Sequence, residues 1–207
     1  MELTVPVGSA HLPALLEVPD EAPGVVVFAH GSGSGRTSPR NAAVAQALRE
    51  AGLGTLLIDL VTEAEEVGGD DLRFDIDLLS ERVVGVVDRL AADGVQTLAC
   101  FGASTGAAAA LRAAASRPRL IRAVVARGGR VDLAGEALEA VRAPVLLLVG
   151  GADAPVLSIN REALERLGTG ATLEVIPGAG HLFEEDGAMR RVTAATVAFL
   201  AENLGGR

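Results

Sequence analysis

A serine stands between two glycines where an apolar segment gives way to an alanine-rich one, in the run Gly102-Ala103-Ser104-Thr105-Gly106. The residues before it, 95–101, are typical of a β-strand, and residues 107–115 are strong helix formers. A strand that turns into a helix within one residue strains that residue, and the helix then crosses close to the strand. Positions two before and two after the serine must therefore lack bulky side chains, and both are glycine. The pattern predicts a strand–turn–helix elbow with Ser104 at its tip.

Since the chain contains 25 glycines in 207 residues, this pattern needs support from the surrounding sequence. From Gly24 onward, apolar runs alternate with segments of helical periodicity, which indicates an open, mostly parallel sheet with helices on both faces. Residues 2–7 and 12–18 instead predict an antiparallel hairpin at the sheet edge. We therefore expect one α/β domain over residues 1–207, with no separate cap domain.

The expected elements of the α/β part follow from apolar runs, helical spacing and turn residues. The expected strands cover residues 25–29, 54–60, 95–101, 121–126, 145–149 and 171–176. The expected helices cover residues 39–51, 76–90, 107–115, 136–141, 157–167 and 185–203, and residues 63–71 are expected to form a polar loop.

Composition narrows the class of partner. The net charge is −9 without a dense cluster of Lys and Arg, which argues against nucleic acid and anionic membranes and favours a small molecule. A single cysteine and three widely separated histidines offer no disulfide and little for a metal site, so we expect no metal and no cofactor. The first residues lack a basic segment followed by an apolar run, and we expect a cytoplasmic protein.

A serine hydroxyl becomes a nucleophile when a histidine takes its proton and a carboxylate orients that histidine. In the α/β-hydrolase order of serine, acid and histidine, the base lies beyond Ser104, and His181 is the one histidine there. His181 follows the last expected strand, so it belongs to the loops that converge at the carboxyl edge of the sheet.

Asp153 is the candidate acid, because it follows the expected strand 145–149 at the same edge. The alternative interpretation of Asp153 is a turn-forming aspartate. Asp132, after the preceding strand, is a rival acid. Glu184 and Glu185 lie too near His181 in the sequence to orient it easily.

Two backbone N–H groups are the expected oxyanion donors: that of Thr105, at the start of the elbow helix, and that of Ser32, in the glycine loop 30–35. The loop also follows a strand and precedes a helix, as phosphate-binding loops do. It matches neither the Walker A nor the Gly-x-Gly-x-x-Gly pattern. We interpret His30 as a structural residue that holds this loop.

Three arginines are expected to flank the site: Arg36 in the glycine loop, and Arg127 and Arg130 after a strand end. They are candidates to bind a substrate carboxylate through paired hydrogen bonds, or else they are solvated or salt-bridged loop residues. Asp59, at the end of its strand, is open between a loop cap and a pocket acid. Cys100 is expected to be a buried, unreactive residue.

With these motifs in place, including the run Pro177-Gly178-Ala179-Gly180-His181, the chain resembles the small dienelactone-hydrolase-like branch of the α/β-hydrolase superfamily, over roughly residues 23–204. The resemblance implies a triad of Ser104, Asp153 and His181 and activity on carboxylic esters or lactones. Dienelactone hydrolases proper use a cysteine nucleophile, so the serine here favours a broader esterase activity. The alternative is a non-catalytic binder of small carboxylates on the same scaffold. Substrate identity and oligomeric state stay open.

Overall fold

The structure is a computed structural model that describes residues 1–68 and 71–205. Its sheet contains eight strands: β1 (Glu2–Val7), β2 (Ala10–Glu17), β3 (Val25–Ala29), β4 (Gly54–Ile58), β5 (Leu98–Ala103), β6 (Ile121–Arg127), β7 (Val145–Gly150) and β8 (Ala171–Ile176). The helices in these ranges are α1 (Pro39–Glu50), α2 (Glu63–Val67), α3 (Ile76–Ala92), α4 (Thr105–Ser116), α5 (Ala137–Ala140), α6 (Ala154–Leu167) and α7 (Ala188–Leu204). Short 3₁₀ turns cover Leu72–Phe74, Val131–Ala134 and Gly168–Gly170.

The strands lie in the order β1-β2-β4-β3-β5-β6-β7-β8. The hairpin β1–β2 is antiparallel and joins the sheet through an antiparallel pairing of β2 with β4. All later pairings are parallel. The carboxyl ends of six strands therefore meet at one edge, where ligands bind in open α/β sheets. The predicted fold class, including the edge hairpin, is confirmed.

Hydrophobic cores lie on both faces of the sheet, because the central strands are buried on both sides. On one face, Phe28 and Phe101 pack with residues of α1 and α7, with their ring centroids 4.9 Å apart. On the other face, Val27 and Cys100 pack with residues of α3, α4 and α6. No helix within residues 1–68 and 71–205 is long and apolar enough to cross a membrane.

The expected polar loop at residues 63–71 is wrong in its first part, where the chain forms α2. Thr62 caps this helix in a capping box with Glu65. The buried Arg82 of α3 pairs with Glu65 and donates a 2.5 Å hydrogen bond to the Leu60 carbonyl. The hydrogen bond from Arg82 lowers the pKa of Glu65 to about 2. The capping box of Thr62 and Glu65 is a local signal for this helix, and the pairing with Arg82 adds a long-range contact. Residues 69 and 70 lie outside the described part.

Several element boundaries differ from expectation, including the start of α6 at Ala154 and not at residue 157. Two of the differences have local reasons. Strand β5 begins at Leu98, not at residue 95, because the Val95 N–H bonds to the Leu90 carbonyl and closes the end of α3. Helix α7 begins at Ala188, not at residue 185, because Gly187 directly before it adopts a positive φ of 78°, outside the α-helical region.

Candidate active site

Ser104 occupies the turn between β5 and α4 with φ 50° and ψ −120°. A non-glycine residue in this region carries backbone strain, which clusters at functional sites. Hydrogen bonds on both sides hold the turn. The Ser104 N–H donates to the Arg127 carbonyl at 3.2 Å, and the Ser104 carbonyl accepts from the N–H of Ala107 at 3.1 Å and of Arg130 at 3.0 Å. The predicted strand–turn–helix geometry at Ser104 is present.

The two glycines of the motif are required by close backbone contacts. A β-carbon on Gly102 would lie 2.5 Å from the Cα of Ala107 in α4. A β-carbon on Gly106 would collide with the Ala29 carbonyl and would lie 2.5 Å from the His30 carbonyl oxygen. Real β-carbons essentially never approach backbone atoms this closely. The steric prediction from the sequence is confirmed.

His181 and Asp153 are in direct contact. The Nδ1 atom of His181 lies 2.7 Å from Oδ2 of Asp153. The Asp153 side chain is 12% exposed and the His181 side chain 41% exposed. A carboxylate oxygen at Nδ1 favours the tautomer with its proton on Nδ1, which leaves the lone pair of Nε2 free, as a general base requires. The fold therefore joins two residues that are 28 positions apart in the sequence.

The other candidate acids have different partners. Asp132 accepts two hydrogen bonds from Arg130, at 2.9 and 2.8 Å. Glu184 faces Arg40 at 3.5 Å, and Glu185 accepts the Gly180 N–H. Asp153 is therefore the acid that the structure brings to His181.

Close packing fixes the His181 loop against the end of β7. A β-carbon on Gly150 would collide with the Ala179 carbonyl and lie 2.5 Å from the Gly180 carbonyl oxygen. Beyond His181, Phe183 is 1% exposed and adopts a positive φ of 55°. This buried side chain anchors the loop that carries His181.

Ser104 and His181 line one cavity of about 210 Å³, together with Gly31, Ser32, Gly33, Ser34, Arg40, Ala103, Arg127 and Leu182. Among the described residues, no hydrogen bond joins the Ser104 hydroxyl to His181; such contacts often tighten only when substrate binds. Two arginines, Arg40 and Arg127, face this space.

The glycine loop presents its backbone to this cavity. Gly31 packs against the elbow, where a β-carbon would lie 2.9 Å from Cβ of Ser104. The Gly31 carbonyl accepts from His30 Nδ1 at 2.9 Å and from the Ser34 N–H at 3.1 Å. Because the peptide is planar and trans, fixing this carbonyl also fixes the Ser32 N–H on the opposite side of the same peptide.

His30 links the loop to the neighbouring strand. Its Nε2 accepts the Leu60 N–H at 2.9 Å, while Nδ1 donates to Gly31. Burial lowers the pKa of His30, so the ring is held in its neutral form. The structural interpretation of His30 agrees with these contacts.

Two of the three expected arginines lie outside the cavity. Arg36 binds Asp59 through its backbone N–H at 2.6 Å and its guanidinium at 2.5 Å, so Asp59 caps this loop. Arg130 pairs with Asp132. Arg127 does line the cavity.

Sequence analysis missed Arg40, whose side chain lines the cavity from the first turn of α1. Its position directly after Ser38 and Pro39, at a predicted helix start beside the glycine loop, was an available signal. Cys100 is fully buried, and burial raises the pKa of its thiol to about 12, which agrees with an unreactive residue.

A parallel sheet with a serine elbow after β5, an acid after β7 and a histidine after β8 defines the α/β-hydrolase class. The sequence model of the Dienelactone hydrolase family matches residues 12–202. The chain therefore belongs to the dienelactone hydrolase family.

Solved structures share this fold, and curated relatives share much of its sequence. Dienelactone hydrolase from Anabaena variabilis ATCC 29413 is 49% identical with a TM-score of 0.93, covering 98% of this chain and 97% of that one. Est1E from Butyrivibrio proteoclasticus, at 17% identity and a TM-score of 0.82 over 99% of both chains, shows the fold alone. A putative phosphoribosyl transferase of Mycobacterium tuberculosis (strain ATCC 25618 / H37Rv) is 46% identical over 208 residues, covering 99% of this chain and 47% of the relative. The chain spans about half the length of the curated relatives it matches.

Proposed function

We propose that the protein is a serine hydrolase that cleaves small carboxylic esters or lactones through an acyl-enzyme. The observation that carries the proposal is the pairing of His181 Nδ1 with Asp153, with His181 and the strained Ser104 lining one cavity. A serine, a base and an acid oriented in this way are the groups that acyl transfer needs.

In the proposed reaction, Nε2 of His181 takes the proton of the Ser104 hydroxyl. At the same time, Oγ of Ser104 attacks the carbonyl carbon of the ester. The tetrahedral intermediate collapses as its bond to the leaving oxygen breaks, and that oxygen takes the proton from His181. Water then enters, gives a proton to His181, and attacks the acyl carbon. The bond between the acyl carbon and Oγ of Ser104 then breaks, and the acid product leaves. His181 returns its proton to that Oγ.

The proposed oxyanion hole consists of the N–H groups of Thr105 and Ser32. The first N–H groups of a helix have no partner within the helix, and Thr105 is the first residue of α4. The Ser32 N–H belongs to the peptide that His30 orients through the Gly31 carbonyl. Preorganised donors of this kind each contribute about 10²–10³ in rate.

The curated relatives are named for phosphoribosyl transfer, whereas the family and the residues of this chain favour hydrolysis. Only 47% of the relative's length is matched. The name therefore describes a longer protein, about half of which lies outside the matched region. The glycine loop after β3 lacks both phosphate-binding patterns. We therefore assign hydrolysis to the region described here.

A non-catalytic carboxylate binder is the second candidate from the sequence. Of the arginines considered for its ligand, Arg36 and Arg130 are engaged by Asp59 and Asp132, whereas Arg127 lines the cavity, so the arginines alone do not separate the two candidates. The binder has no need of an acid that orients a histidine, so the Asp153–His181 contact favours the enzyme.

The test is hydrolysis of p-nitrophenyl esters of increasing acyl length by the wild type and Ser104→Ala. Ser9→Ala is the matched control, because Ser9 lies in the turn between β1 and β2. We expect turnover of short esters by the wild type and the control, and a loss of at least about 10³-fold in Ser104→Ala. Equal turnover by Ser104→Ala and the wild type would contradict the proposal. A wild type that hydrolyses no ester, yet is stabilised by small acids in a thermal-shift assay, would favour the binder.

A further inference from the structure

Arg127 is a buried cation with no carboxylate partner in residues 1–68 and 71–205. It is 8% exposed. Its guanidinium lies over the Phe101 ring, 5.9 Å from the centroid, and Nη1 contacts the Met189 sulfur at 3.8 Å. Neither contact neutralises the charge. The same side chain lines the cavity that holds Ser104, so a ligand there can reach it.

Arg40 brings a second positive charge to the same cavity. Its Nε atom is buried and has no hydrogen-bond partner among the described residues. Its Nη1 atom faces Glu184 at 3.5 Å, and that glutamate side chain is 69% exposed. Arg40 is also the second residue of α1, and the N-terminal end of a helix favours an anion.

The contrast with Arg82 shows what a buried guanidinium normally has. Arg82 is similarly buried, at 5% exposed, and it pairs with the Glu65 carboxylate through two nitrogens. Arg127 has instead a like charge beside it. Burial, and then the charge of Arg40, lowers the pKa of Arg127 to about 10. An anion in the cavity would offset both the cost of burying the Arg127 charge and its repulsion by Arg40.

We propose that Arg127 and Arg40 form a subsite for a phosphate monoester group, and that the substrate is a small ester carrying such a phosphate. Two guanidinium groups suit a phosphate, which is a dianion with three acceptor oxygens. A carboxylate suits them less well, because one arginine already satisfies it. The substrate part rests on the proposed serine hydrolase function; the binding part does not.

Geometry sets how far the phosphate lies from the reacting ester. Arg127 is paired with Ala103 on the adjacent strand, and Ser104 follows Ala103 directly. Neighbouring strands lie about 4.8 Å apart. Since Arg127, Arg40 and Ser104 line one cavity of about 210 Å³, a small ester that carries a phosphate can reach all three.

The test is isothermal titration with methyl phosphate and with acetate at pH 8, where methyl phosphate is a dianion. The proteins are the wild type, Arg40→Met and Arg127→Lys, the last keeping the charge but losing the planar fork of donors. Arg130→Met is the matched control, because Arg130 pairs with Asp132 outside the cavity. Thermal melting of each variant checks that it is folded.

We expect saturable binding of methyl phosphate at least about tenfold tighter than acetate, weakened at least about fivefold in Arg40→Met and in Arg127→Lys and unchanged in Arg130→Met. The subsite would be overturned if methyl phosphate did not bind, or if acetate bound equally well. It would also be overturned if Arg40→Met and Arg127→Lys both bound methyl phosphate as tightly as the wild type. Failure of ester hydrolysis by the wild type would overturn the proposed function while leaving this binding result intact, so the two failures are distinguishable.

Discussion

The carboxylate of Asp153 binds His181 at 2.7 Å although Asp153 also occupies the N-cap position of α6. Aspartate at that position normally accepts a hydrogen bond from the first turn of the helix. Here its side chain makes no such bond, and the acceptor is aimed at the histidine. The turn-forming interpretation of Asp153 thus describes its backbone, while its side chain has another partner.

Asp153→Asn should leave the fold intact and lower kcat for a short ester by about 10³–10⁴-fold. The amide nitrogen would donate to Nδ1, which favours the tautomer with the proton on Nε2 and removes the base. Steady-state kinetics measure the loss, and a thermal melt checks the fold. Asp132→Asn is the control, since Asp132 pairs with Arg130; a similar loss in that variant would argue against the assignment of Asp153.

Gly106→Ala should destabilise the protein by at least about 2 kcal/mol, because the new β-carbon would collide with the Ala29 carbonyl and force α4 away from β3. Urea unfolding measures the change. Gly170→Ala is the matched control: no atom lies within 4 Å of its β-carbon position, so its stability should change little. Equal stability of Gly106→Ala and the wild type would mean that α4 does not cross β3 as closely as described.

The neutral state of His30 should make stability depend on pH. Burial lowers its pKa below the ordinary value of 6.5, so below about pH 6.5 the unfolded chain binds a proton that the folded chain does not. The free energy of unfolding should therefore fall as the pH drops from 7.5 to 5.5, by up to about 1.4 kcal/mol per pH unit from this group.

Urea unfolding of the wild type and His30→Gln at several pH values isolates that contribution. The variant is less stable at every pH, because it loses the hydrogen bonds to Leu60 and Gly31. Its free energy of unfolding should nevertheless change less with pH than that of the wild type. His11→Gln is the control, since His11 is exposed. Parallel slopes in His30→Gln and the wild type would contradict a neutral, buried His30.

Much of the candidate site could be predicted because its signals are local. The glycines flanking Ser104 reflect steric contacts within the elbow, and the apolar runs of β7 and β8 place Asp153 and His181 after strand ends. Parallel strands bring such loops to one edge. That the aspartate reaches the histidine is a matter of loop conformation, which spacing alone does not determine.

Part of what the sequence did not predict depends on long-range partners. Whether an arginine is free for a ligand depends on which acids the fold places beside it: Arg36 meets Asp59 from another strand end, whereas Arg127 meets none in the described residues. Helix α2 gains a long-range contact from Arg82, 17 positions from Glu65, whereas its capping box of Thr62 and Glu65 was visible in the sequence. The pairing of Arg130 with Asp132, two positions apart, was visible in the sequence and would have removed Arg130 from the candidates.

The central claim is that Ser104 is an activated nucleophile, and the most direct test is the site of covalent labelling by a fluorophosphonate. The wild type is treated with the probe at pH 7.5, digested and analysed by mass spectrometry. We expect one adduct, on the hydroxyl of Ser104, formed much more slowly in Asp153→Asn and absent in Ser104→Ala. An unlabelled wild type, or labelling of a different residue, would contradict the account.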